Sequence, residues 1–175
     1  MNEKKRPIEE RVAAMLGRSA YADLREGTGG TCPLQIRDQD IAAALGWVSQ
    51  KVGKLAPLAL ETYYGSTLVH QNTLMRAWEE KEGGQTREQL SLTRLSGALA
   101  VRELAGAKHC TTAYAEYAYL IVSRREVLQQ RVRAAGAWLE DLKSTGLREL
   151  RAKLRDIWEE QAKERAKELA KRAAA

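Results

Sequence analysis

The prolines most constrain what this chain can fold into. There are three, Pro7, Pro33 and Pro57, and none follows position 57. Proline removes a backbone donor and clashes with the preceding helical turn, so the remaining two-thirds of the chain lacks the strongest helix breaker. Alanine is abundant there and phenylalanine is absent from the whole chain. The expected fold is all-α, a multi-helix bundle. At 175 residues with 44% apolar types, the chain is long enough to bury a core.

Punctuation divides the chain into helices. A first one begins near Pro7, with Ile8, Val12, Met15 and Leu16 at helical spacing. The glycines and proline of residues 26–33, EGTGGTCP, mark a connector. It lacks the Lys-Ser/Thr that would follow in a phosphate cradle. Asp38 suits the N-cap of a second helix with Ile41, Ala44, Leu45 and Val48 on one face, closed by Gly53. Pro57 opens a third, ended by Gly65. A fourth spans about Thr67 to Glu80, with Leu68, Leu74, Met75 and Trp78 as its apolar side. After a polar break, a fifth runs from about Arg87 to Ala105, its stripe Leu92, Leu95, Leu99 and Ala100, and Gly106 stops it. Thr111 or Thr112 caps a sixth, TAYAEYAYL, and Ser123 a seventh that ends at Gly146. A last helix runs from Leu147 to the C-terminus. The expected organisation is a helical domain over 1–142 and a C-terminal helix appendage over 143–175. From Ala162 onward that helix is Ala, Lys, Glu and Arg with one Leu. It reads as a solvated tail or as a partner-binding or oligomerisation helix. Glu159–Lys163 and Glu168–Arg172 are spaced for modest support.

No apolar run is long enough for a membrane span, and the N-terminus has no apolar stretch after its basic residues. A cytoplasmic location is therefore expected. Cys32 and Cys110 do not make a disulfide framework. His109 beside Cys110 lacks the usual metal-ligand spacing, and sequence neighbours on a helix diverge by about 100°. Glu79, Glu80 and Glu82 read as a solvated charge run. No catalytic constellation, metal site or cofactor is expected, so the chain is not read as an enzyme.

Charge is more telling. Residues 1–123 hold 15 basic and 14 acidic side chains, whereas residues 124–175 hold 14 and 9. Basic groups concentrated at one end are the electrostatic footprint of a polyanion partner. Around them lies the layout of a helix-turn-helix, at about residues 111–140. Ala118 is a small inward residue, Ile121 and Val122 make an apolar turn, and Ser123 caps the second helix. Val127, Val132 and Ala135 are expected inward; Arg124, Arg125, Gln129, Arg131 and Arg133 outward. Two registers are open: an inward Val127 puts Tyr117 at the close helix contact, and Ala118 there shortens the turn by a residue. Arginine can bridge guanine O6 and N7, and glutamine adenine N6 and N7. Ser123 at a helix N-terminus suits a backbone phosphate. The expected DNA-binding set is Ser123, Arg124, Arg125, Gln129, Arg131 and Arg133.

Two stretches resemble phage late-gene antitermination proteins, the Q-type regulators. Residues 36–65, IRDQDIAAALGWVSQKVGKLAPLALETYYG, are similar to the helix pair that precedes the DNA-binding unit in that group. Residues 114–139, YAEYAYLIVSRREVLQQRVRAAGAWL, resemble its helix-turn-helix with the closing Ala-x-x-Trp-Leu. The resemblance implies a regulator that binds double-stranded DNA near a late promoter. It implies engagement of a paused bacterial RNA polymerase, so that terminators are ignored. Two other classes fit the same features: a helical assembly protein such as a small terminase-like subunit, hence a homo-oligomer, and an adaptor binding an acidic protein.

Overall fold

The computed structural model describes residues 38–84, 86–107, 111–121 and 123–173, without the side chains of Asp38, Thr111 and Thr112. Six α-helices account for most of these residues, and no strand occurs among them. They are α1 (Asp38–Val52), α2 (Leu55–Gly65), α3 (Gln71–Glu82), α4 (Arg87–Leu104), α5 (Thr111–Leu120) and α6 (Arg125–Ala173). The expected first helix, the connector at 26–33, and Cys32, His109 and Cys110 lie outside the described residues. No described helix is long and apolar enough to cross a membrane.

The spine is α6, 49 residues without a break, about 74 Å at 1.5 Å per residue. The other five helices pack around it, α3 chiefly on α4 and touching α6 through side chains, Trp78 against Trp138 and Glu82 against Arg131. Two apolar clusters sit along it in sequence. Toward its start, Leu128, Val132, Ala135 and Leu139 meet Leu74 and Trp78 of α3, Leu99, Ala100 and Val101 of α4, and Tyr114 and Ala118 of α5. Farther along, Leu150 and Leu154 meet Ile41, Ala44, Leu45 and Val48 of α1 and Ala56 and Leu60 of α2.

The stop expected at Gly146 is absent, because that glycine is used for close packing instead. It is buried mid-helix, and a Cβ there would stand 3.1 Å from Leu60 Cδ1 and 3.3 Å from the Ala56 carbonyl oxygen. Lacking a side chain, Gly146 lets α2 and α6 approach closely. The expected boundary at 142/143 falls inside α6, and core contacts continue to Ile157.

The other punctuation marks act nearly where they stand. Pro57 occupies the first turn of α2, which starts two residues earlier at Leu55; a missing donor costs nothing there. Gly106 adopts φ +97°, and Ala107 N–H donates to the Arg102 carbonyl at 2.9 Å, a Schellman-type closure of α4. The fourth expected helix starts later, at Gln71, so Leu68 is exposed and outside the core. Before α4, Thr86 Oγ1 accepts from Gln89 N–H at 3.2 Å and Gln89 Oε1 accepts from Thr86 N–H at 3.3 Å, a reciprocal capping box.

Buried polar atoms are paired locally. Trp78 Nε1–H donates to Ser96 Oγ at 3.3 Å, and that hydroxyl donates to the Thr93 carbonyl at 2.9 Å. Thr62 Oγ1 donates to the Leu58 carbonyl at 2.8 Å.

Candidate nucleic-acid interface

The candidate surface is built where α5 turns into α6. Tyr114 and Ala118 fasten α5 to the core, and Ile121 packs partly against it. Ser123 N–H donates to the Ala118 carbonyl at 2.9 Å, closing the end of α5. The Arg124 carbonyl accepts from Leu128 N–H at 3.1 Å, so Arg124, not the expected Ser123, stands at the α6 N-cap position.

Packing corrects the inward register by one residue. Val127, expected inside, is exposed, and Leu128 is buried in its place. Leu128, Val132, Ala135 and Leu139 then recur at steps of four, three and four, the apolar stripe of one helix face. Ala118 and Tyr114 supply the opposing contacts, with Tyr117 half-buried beside them.

The six expected contact residues do not share one face. Arg124 and Arg125 are exposed at the start of α6. At about 100° per residue, Gln129 and Arg133 lie about 40° apart on one flank. Gln129 is half-buried and Arg133 exposed. Arg131 lies about 160° from Gln129. Its guanidinium Nη1 donates to Glu82 Oε2 at 2.6 Å, tying α6 to the end of α3. Ser123 is half-buried.

The acidic cluster is likewise not a merely solvated run. Glu79 Oε1 accepts from Arg94 Nε at 3.0 Å, and Glu82 holds Arg131, so two of its three carboxylates clip α3 to α4 and α6. His70 Nε2 lies 2.7 Å from Glu61 Oε2, a link between the start of α3 and the end of α2.

Electrostatics at the interface are mixed in sign. Arg125 Nη2 donates to Glu126 Oε1 at 3.0 Å. The backbone amide of Glu126, then the Arg125 guanidinium, hold that carboxyl below the usual carboxylate range. Glu126 therefore stays charged in the first turn, where the helix dipole also favours it. On the Arg133 flank, burial pushes the Tyr114 phenol well above its usual range, helped by its hydrogen bond to Glu103 and opposed by the Arg133 charge. Tyr114 is thus a neutral donor that fastens α5 to α4.

Sequence reasoning missed how far this flank extends. Arg148, Arg151 and Arg155 lie within about 60° of Arg133 around α6, and all four are exposed. The row spans about 33 Å along the axis. Glu140 interrupts it and pairs with Lys143. The signal was present in the helical spacing of these arginines, but the break expected at Gly146 placed them on a separate helix.

A scan against protein-family models and searches of the curated proteins and of the solved structures found no match to this chain.

Proposed function

We propose that the chain is a double-stranded-DNA-binding regulator that meets the duplex with the start of α6. One observation carries this reading: Arg124 and Arg125 stand exposed at the beginning of a helix whose inner stripe is fully occupied by the core. With the inner face committed, the outer residues are available to a ligand without unfolding. Gln129 and Arg133 continue from Arg125 along one flank, toward base edges and phosphates respectively. Arg131 is left out of the contact set because Glu82 occupies it. The Q-type resemblance over residues 36–65 and 114–139 supplies the narrower reading, antitermination at a late promoter with bacterial RNA polymerase as second partner.

The test is fluorescence anisotropy with a promoter-proximal duplex over a salt series. The double variant Arg124→Ala, Arg125→Ala is expected to bind about tenfold more weakly. Its log–log salt slope should be shallower by about 2, since each phosphate contact removed costs about 0.9. Arg131→Ala should bind DNA as the parent does. Equal affinity of the double variant and the parent would remove the start of α6 from the interface. Readthrough of a terminator by RNA polymerase, with and without the protein, then separates antitermination from DNA binding alone.

A further inference from the structure

Midway along α6, three arginines share one exposed face. Arg148, Arg151 and Arg155 stand three and four residues apart, which places them within about 60° of arc and about 10 Å of axis. All three are exposed, Arg148 with 73% of its side chain in solvent. From residue 148 to 155 the helix carries four basic side chains and one acid; from 159 to 172 it carries five and four. The one acid, Glu149, lies about 100° around the helix from Arg148, and its Oε1 is 3.4 Å from the Arg148 Nε. Asp156 lies about 100° around from Arg155. Beyond the patch the sign changes: Asp141 stands two turns before Arg148, and Glu159 one turn after Arg155.

A solvated helix face gains nothing from this spacing. Like charges three and four residues apart repel along a helix, as Arg148 does with Arg151 and Arg151 with Arg155. A polyanion laid across all three relieves that repulsion. The platform is preformed: Leu150 and Leu154 are fully buried against α1 and α2, so this stretch needs no ordering when it binds. Two features select the polyanion. The cationic groups are guanidinium groups, whose planar fork takes two phosphate oxygens at once. And no large apolar side chain is exposed on α6 between Val127 and Trp158, so the face lacks the apolar surface with which a helix enters a lipid interface. A duplex backbone, with one charge per about 1.7 Å of its axis, presents several phosphates over the length of the patch.

We propose that Arg148, Arg151 and Arg155 form a second contact to the phosphate backbone of double-stranded DNA, about 39 Å along α6 from Arg125. The inference rests on the proposed function for its partner; the surface is a different one, and it stands or falls by its own variants.

Fluorescence anisotropy of the full chain with a labelled duplex over a salt series tests it. Arg148→Gln, Arg151→Gln and Arg155→Gln together should raise the dissociation constant at least about tenfold, while far-ultraviolet circular dichroism stays that of the parent. The log–log salt slope should flatten by about 2.7, three contacts at about 0.9 each. Arg148→Lys, Arg151→Lys and Arg155→Lys together should keep the parent's slope, because the charges remain. An unchanged affinity in the glutamine variant overturns the proposal. So does an equal loss of slope in the lysine variant, which would trace the effect to something other than charge. Polyglutamate at equal charge should compete poorly; displacement as effective as by unlabelled duplex would reassign the patch to an acidic protein and overturn the proposal. The two surfaces are told apart by variant. Weakening by Arg124→Ala, Arg125→Ala and none by the glutamine variant keeps the start of α6 and removes this patch; the reverse keeps the patch and removes the start of α6. A parent that binds no duplex ends both.

Discussion

Residues 125–157 and 158–173 of α6 belong to one unbroken helix and are stabilised in different ways. In the first stretch, an aliphatic or small residue arrives on the inner face at every turn, and Leu128, Leu139, Leu150 and Leu154 are almost wholly removed from water. In the second, no side chain is buried and the composition is alanine and charge. Among the described residues, the i,i+4 ion pairs expected at Glu159–Lys163 and Glu168–Arg172 are not closed. Alanine, glutamate, lysine and arginine are strong helix formers, so propensity carries the helix beyond the body. Tertiary packing does the rest of the work, as it does for most protein helices.

The sharpest way to break this contrast is a matched pair of truncations. Leu150→Ala removes a fully buried side chain between α1 and α2 and should cost about 2–5 kcal/mol. Leu169→Ala removes an exposed one and should change stability by less than about 0.5 kcal/mol. Urea unfolding measures both. Comparable losses would mean that the distal segment is packed on the body after all.

Two glycines sharpen the comparison within the packed stretch. Gly136 has open space where a Cβ would go, so Gly136→Ala should gain up to about 1 kcal/mol from helix propensity. Gly146→Ala gains the same propensity but forces a methyl against Leu60 and the Ala56 carbonyl. A carbonyl fixed in α2 cannot yield as a side-chain tip does, and overpacking costs about 1–3 kcal/mol. A net loss of about 1 kcal/mol is expected. Thermal unfolding of the two variants should move Tm in opposite directions; a Gly146→Ala chain as stable as Gly136→Ala would show that α2 and α6 do not approach as closely as described.

The same pair explains what the sequence reveals and what it hides. Helix content was legible because the prolines stop at Pro57 and because stripes such as Ile41, Ala44, Leu45 and Val48 keep helical period. Gly106 reads correctly as a stop, being followed by a residue that can close the helix. Gly146 does not, because a glycine chosen for a neighbour's backbone is indistinguishable in one sequence from a glycine chosen for positive φ. Misreading it split α6 and hid the alignment of Arg133 with Arg151. Val127 and Leu128 are both apolar, so which one faces inward is decided by α4 and α5, not by local pattern. Thr86 and Gln89 did carry a capping-box spacing that reads directly from the chain. Arg131 was visible as a basic residue, but its engagement by Glu82, 49 residues away, depends on tertiary placement.

The smallest effect is expected from shortening α6. A chain ending at Gln161 keeps Ile157, Trp158 and the Asp40 contact, and loses no buried side chain among the described residues. What it gives up is a stretch of solvated helix, whose own free energy is near balance because nucleation has already been met by the packed turns before it. The cost should stay below about 0.5 kcal/mol, which for a chain of this size is a Tm shift of no more than about 2 °C. Differential scanning calorimetry of the shortened and full chains at matched low concentration reads it. A larger fall would place residues 162–173 among the elements that hold the bundle together, and would erase the distinction between the two stretches of α6.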